Sequence, residues 1–155
     1  MKKILSFFTF ISLILSLFSC GKEPPSAERL LSDFISSYGV FGVIYSSNVP
    51  EGERGFIDGD FFKTLYGDEP DFESDYAVFL SSSIDEISEV GVFAVSDESS
   101  RIYAEQLCRK RLTLLTKMGY GDSSVLLVRG QVIFYSTLPD PERAERIWLD
   151  IRVNG

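Results

Sequence analysis

The stretch from Val125 to Tyr135 constrains the fold more than any other part of the chain. Val125-Leu126-Leu127-Val128 and Val132-Ile133-Phe134-Tyr135 are two short apolar runs flanking Arg129-Gly130-Gln131. β-branched and aromatic side chains suit a pleated, buried surface, and a glycine between two such runs supplies the backbone freedom that a tight turn demands. The stretch therefore reads as a β-hairpin. A hairpin puts two neighbouring antiparallel strands into whatever sheet forms, so an all-parallel sheet is excluded.

Two more strands are expected upstream. Asp75-Tyr76-Ala77-Val78-Phe79-Leu80 and Glu89-Val90-Gly91-Val92-Phe93-Ala94-Val95 are apolar on both faces and are parted by Ser81-Ser82-Ser83. Helical spacing marks the rest. Ser26 caps a helix whose apolar residues Ala27, Leu30, Leu31, Phe34, Ile35 and Tyr38 recur at i, i+3, i+4, and Gly39 ends it. Val40 to Tyr45 reads as a short strand, 46–55 as a loop, and Asp60 to Tyr66 as a short helix stopped by Gly67. The longest helix opens at Asp97-Glu98, with acids suited to its first turn, and runs to about Met118. Asp140-Pro141 opens a last helix carrying Ala144, Ile147, Trp148 and Ile151 on one face. From residue 75 the order is strand, strand, helix, strand, strand, helix. That order predicts an α+β two-layer sandwich with about four mostly antiparallel strands and helices mainly on one face.

The N-terminus is of a different kind. Met1-Lys2-Lys3 precedes an apolar run from Ile4 to Phe18, then Ser19-Cys20-Gly21. A short basic head before an apolar core is the export pattern, and the run of 15 residues falls short of the ~18–20 that span a bilayer comfortably. Leu17-Phe18-Ser19-Cys20 resembles the lipobox of bacterial lipoproteins. The resemblance implies diacylglycerol transfer to the Cys20 thiol, cleavage before it, and acylation of the new amino group. Residues 1–19 are then a signal peptide, and 20–25, with Pro24-Pro25, a lipidated cysteine and short stiff tether. Residues 26–155 form a single domain. Lys2 and Lys3 leave with the signal, so 13 basic residues remain against 23 acids, a net charge of −10. Such a chain is expected to bind no nucleic acid. Its expected membrane attachment is through acyl chains on Cys20, on the outer face of the bacterial membrane. Cys108, the other cysteine, falls on the apolar face of the long helix and is expected to be buried and inert.

The order Leu65-Tyr66-Gly67, acids, Asp75 to Leu80, Glu89 to Phe93, the helix with Arg109 and Arg111, and the hairpin around Arg129-Gly130-Gln131 resembles a family of small lipoproteins of clostridia and their relatives. That family is catalogued only as a domain of unknown function. The resemblance covers roughly residues 60–150 plus the lipobox, and supplies no activity. It implies at most the company of machinery that modifies envelope polysaccharides by acylation, and so an accessory role as the alternative reading.

No catalytic constellation is expected. The chain has no histidine, which removes Ser-His-Asp and Cys-His catalysis and every His-ligated metal site. Within residues 20–155 none of Lys22, Lys63, Lys110 and Lys117 has a serine three residues before it, so the Ser-Lys alternative is missing too. The acids Asp58, Asp60, Asp68, Glu69, Asp71, Glu73 and Asp75 invite a calcium reading. Asp71-x-Glu73-x-Asp75 carries Tyr76 where a calcium loop needs glycine, however, so a solvated acidic loop is expected, with no metal and no cofactor. The tyrosines, among them Tyr38, Tyr45, Tyr76, Tyr103, Tyr120 and Tyr135, and Trp148 read as core or core-edge packing, with an exposed Tyr120 as a possible contact.

Arg111 is the informative residue. Ala104, Leu107, Cys108, Leu115 and Met118 form one helical stripe, and Arg111 falls in the middle of it. A buried guanidinium requires a partner. Glu89, at the start of the preceding strand, is the expected one. Two readings follow: an internal ion pair fixing strand to helix, or an arginine that grips a carboxylate or phosphate in a shallow pocket. The overall expectation is a non-catalytic envelope lipoprotein that binds or scaffolds an envelope protein or polysaccharide.

Overall fold

Each helix begins where a side-chain oxygen meets amides that no preceding turn can satisfy. In the computed structural model, which describes residues 26–68, 74–82 and 87–153, Ser26 Oγ accepts from Arg29 N at 3.2 Å and opens α1 (Ala27–Tyr38). Asp58 accepts from Phe61 N at 2.7 Å and opens α2 (Gly59–Tyr66). Asp97 accepts from Ser100 N at 2.9 Å for α3 (Glu98–Lys117). Asp140 accepts from Arg143 N at 2.9 Å for α4 (Pro141–Asp150), with Pro141 in the first turn, where its missing N–H costs no hydrogen bond. The signal-like segment, Cys20 and the tether lie outside the described residues, as do positions 69–73.

Five strands pair into one sheet in the order β1-β2-β3-β5-β4, every pair antiparallel. They are β1 (Gly42–Ser46), β2 (Ser74–Ser81), β3 (Glu89–Val95), β4 (Val125–Arg129) and β5 (Val132–Ser136). β4 and β5 are the hairpin. Arg129 pairs with Val132 across Gly130-Gln131, and Gly130 takes a φ of 60°, as the first position of a type II′ turn requires. The α+β class and the antiparallel sheet agree with the expectation. The strand number is five rather than about four, because the short run after Gly39 does join the sheet, as an edge strand on β2.

The layering also differs from the expectation of two layers. Side chains alternate along each strand, and both parities are apolar. Ala77, Phe79, Val90, Val92, Val132 and Phe134 pack with α1 and α4. Tyr76, Val78, Phe93, Val95, Ile133 and Tyr135 pack with α2 and α3. Two helices thus cover each face, and the sheet is the middle of three layers. The physical reason is that β2, β3 and β5 would otherwise leave a full apolar face in water. On the first face Trp148 stacks on Phe134 with ring centroids 4.3 Å apart, and Phe34 meets Phe134 edge-on at 4.8 Å. On the second, Phe62 packs against Tyr66 and Tyr76, each at 4.7 Å.

The sheet has two distinct ends. Ala27 N, at the start of α1, donates to Asp75 Oδ2 at 2.7 Å, near the first residues of β2. Asp75 pairs with Ala94, and Leu80 with Glu89, so Glu89 lies roughly 17 Å further along the strands. α3 starts from Asp97 at the Asp75 end and runs back along the sheet, which brings its C-terminal half over Glu89.

Candidate functional site

Glu89 opens β3 on the face covered by α2 and α3, and its side chain is 2 % exposed. A carboxylate at that depth needs donors. Arg111, from the middle of the α3 stripe, supplies two. Nε donates to Oε1 at 2.9 Å and Nη2 to Oε2 at 2.5 Å, a side-on fork that fixes the plane of the guanidinium. Nη1 donates to the carbonyl of Leu65 at 3.1 Å, which ties α2 into the same cluster. The structure thus brings together the two residues that the sequence singled out.

Two tyrosines complete the arrangement. Gly91 faces the same layer two residues on from Glu89, and a Cβ there would stand 2.2 Å from the ring of Tyr135. The missing side chain lets that ring lie flat across the strand. Tyr135 Oη donates to Glu89 Oε1 at 2.6 Å. Its oxygen is 2.7 Å from Tyr66 Oη. Because Tyr135 gives its one proton to Glu89, the proton between the two phenols belongs to Tyr66. The result is a directed chain, Tyr66 to Tyr135 to Glu89, closed by Arg111. Burial, and then the negative charge of Glu89, push both phenols well above the usual tyrosine range, so both stay protonated. Burial pulls Arg111 down, but the Glu89 carboxylate more than offsets it and holds the guanidinium above its ordinary value. Neither phenol was legible as part of this cluster. Tyr135 appeared only as an aromatic of the hairpin, and no local spacing links Tyr66 to a residue 69 positions away.

Arg111 also lines a cavity of 480 Å³ between α2 and α3. Leu65 and Tyr66 form its α2 wall, and Leu114 lies on α3 with Lys110 and Lys117. Positions 110, 114 and 117 fall on one helical face, a spacing readable in the sequence but carrying no meaning until α2 is set opposite. Leu114 is 44 % exposed, high for a leucine of that helix. Among the described residues, neither Lys110 nor Lys117 forms an ion pair. Three of the five guanidinium N–H groups of Arg111 are engaged, and two remain. A second cavity, of 540 Å³, lies beside Tyr38, Phe41 and Arg143. There Arg143 is committed to the end of α1, donating to the Tyr38 carbonyl at 2.8 Å with its guanidinium 4.6 Å over the ring.

The other sequence candidates have structural placements. Cys108 is buried, and burial followed by Glu89 pushes its thiol well above the ordinary range. Asp58 caps α2, Asp60 lies in its first turn, and Asp75 holds the start of α1 and the side chain of Asn48, the latter at 2.8 Å. Among the described residues no group of three or more acids and cysteines is gathered as a metal site. Tyr38, Tyr76 and Trp148 are core, and Tyr120 is half-buried rather than exposed. Met118, expected within the apolar stripe, is instead 57 % exposed, because α3 ends at Lys117 and the chain turns away. Among the described residues no helix is long and apolar enough to cross a membrane. No family model matches the chain, and no curated protein or solved structure matches it.

Proposed function

We propose that the chain is a lipid-anchored protein of the bacterial cell envelope whose α+β domain binds another envelope component without transforming it. The observation that carries this reading is the opposition of its two ends. The lipobox-like Leu17-Phe18-Ser19-Cys20 leads, through six residues that reach at most about 20 Å, to Ser26 and to α1 at the Asp75 end of the sheet. The cavity with Arg111, Lys110 and Lys117 is at the other end. A domain held by acyl chains at one end and open at the other presents its cavity away from its own anchor. Two or three acyl chains suffice for stable attachment.

The anchor is tested by metabolic labelling. Cells fed radioactive palmitate label the native protein and leave a Cys20→Ala variant unlabelled as an uncleaved precursor; equal labelling of both overturns the anchor. The binding role is tested by crosslinking intact cells and identifying what is recovered with the protein. A single recurrent envelope partner supports it, and a membrane acyltransferase complex assigns the accessory role in polysaccharide modification. Recovery of bulk lipid alone overturns both.

A further inference from the structure

We propose that the cavity between α2 and α3 binds a small amphiphilic anion: an alkyl chain or ring carrying one carboxylate or phosphate. The inference rests on the binding role above and deepens it by naming the ligand chemistry.

Three features of the cavity select that class. Its volume of 480 Å³ lies within the range of sites that enclose small organic ligands. Leu114, 44 % exposed, gives it an apolar patch beside the largely buried Leu65 and Tyr66, and apolar surface left in water favours a ligand that covers it. Among the described residues every charged side chain on its wall is a cation, Arg111 within and the exposed Lys110 and Lys117 beside it. The chain as a whole carries a formal charge of −8, so a purely electrostatic encounter elsewhere on its surface would repel an anion. Local cations on a low-dielectric wall reverse that preference over the short range that screening leaves.

Arg111 suits the role because it is already oriented. Glu89 and the Leu65 carbonyl fix its plane from the protein side, leaving two N–H groups unengaged. An oxyanion taking them meets a donor pair that loses little further freedom on binding. Because Glu89 already balances the charge of Arg111, Lys110 and Lys117 supply the net attraction, which matches a ligand of low charge rather than a polyanion. Thr64 and Thr113 also border the cavity, but both hydroxyls donate back into their own helices, at 2.9 and 2.8 Å, and so present acceptors. A singly protonated phosphate can donate to such acceptors, whereas a carboxylate relies on the cations alone.

The test uses the full-length protein in phosphatidylcholine nanodiscs, with empty nanodiscs as baseline and ligand-observed NMR titration as readout. The probes are octanoate, octyl phosphate, octylamine, octanol and acetate. Octanoate and octyl phosphate are expected to bind at least about tenfold more tightly than the amine, the alcohol or acetate. The Lys110→Glu, Lys117→Glu double variant, altered only at exposed positions, should keep its melting temperature and lose about tenfold in octanoate affinity. Leu114→Asn should weaken octanoate and leave acetate unchanged. Replacing the disc lipid with phosphatidylglycerol separates the two sources of such an anion: unchanged octanoate binding assigns the ligand to solution, and competition assigns it to a lipid. Octanol or octylamine binding as well as octanoate, or a double variant within twofold of the native affinity, overturns the inference. If it falls while Cys20 labels and a crosslinked partner is recovered, the envelope-binding reading stands without this cavity.

Discussion

Arg111 occupies both of the settings that the sequence set against each other as alternatives, a buried ion pair and a cavity wall. Its guanidinium is committed to Glu89 and Leu65, and the residue also lines the cavity between α2 and α3. The ion pair is almost wholly buried, with side chains 12 % and 2 % exposed. Breaking one partner of such a pair strands the other without solvent, which costs about 3–5 kcal/mol, whereas removing both charges costs much less. Arg111→Met is therefore expected to destabilise the domain by about 3–5 kcal/mol in urea unfolding. Adding Glu89→Gln, which still accepts from Tyr135, should recover a large part of that loss. A double variant as unstable as the sum of the two single ones would contradict the account. The pair was legible because its logic is local to two residues: a charge in the middle of an apolar stripe demands an opposite charge, and Glu89 opens the strand just before that helix. Its two phenolic neighbours were not, because a tyrosine in an apolar run looks the same whether or not its hydroxyl has a buried partner.

At the scale of elements, capping oxygens set the helix starts. The clearest case is α3. Asp97 takes hydrogen bonds from the hydroxyls of Ser99 at 2.6 Å and Ser100 at 2.8 Å and from the Ser100 amide at 2.9 Å. The Ser99 hydroxyl first, then the Ser100 amide and hydroxyl, hold the Asp97 carboxyl well below its usual range. A carboxyl depressed by folding contributes stability that is fully present above its unfolded pKa of about 3.9 and is lost as pH falls toward the folded value. Asp97→Ala is thus expected to lower the melting temperature at pH 7, and the gap between variant and native protein should close as pH drops below about 4. A gap that stays constant down to pH 2 would show that the ionised cap is not the source. The helix starts at Ser26, Asp97 and Asp140 and the hairpin glycine could be read from sequence because each acts over three or four residues, whereas the helix read from Asp60 opens two residues earlier at its cap Asp58. β1 was harder. It is five residues long and lies at the edge, with β2 as its strand neighbour, so its own pattern is short and its place depends on a segment distant in sequence.

At the scale of the molecule, one sheet separates two apolar clusters, and a core split in this way raises the question of cooperativity. Leu30 on α1 and Leu107 on α3 are both buried, on opposite faces. Leu30→Val and Leu107→Val each remove one methylene and should cost about 1 kcal/mol. They share no cluster, so the double variant should equal their sum to within about 0.5 kcal/mol. The single tryptophan, Trp148, reports the α1 and α4 face by fluorescence. Its unfolding curve should coincide with far-UV circular dichroism in every variant, and an earlier fluorescence transition in Leu30→Val would mean that the two faces melt separately. The sequence by itself determined the order of elements, most of the helix starts, the hairpin and hence an antiparallel sheet, and the need for a partner to Arg111, since each follows from spacing within a few residues. It also carried a sign of the third layer, because β2 and β3 are apolar at both parities, as only strands covered on both faces need be. Which helix covers which face was decided by the tertiary structure alone. Once both faces of a strand are equally apolar, its pattern holds no preference between them, and only the packing of all four helices on one sheet brings α2 against α3, closes the tyrosine chain and leaves the cavity beside Arg111.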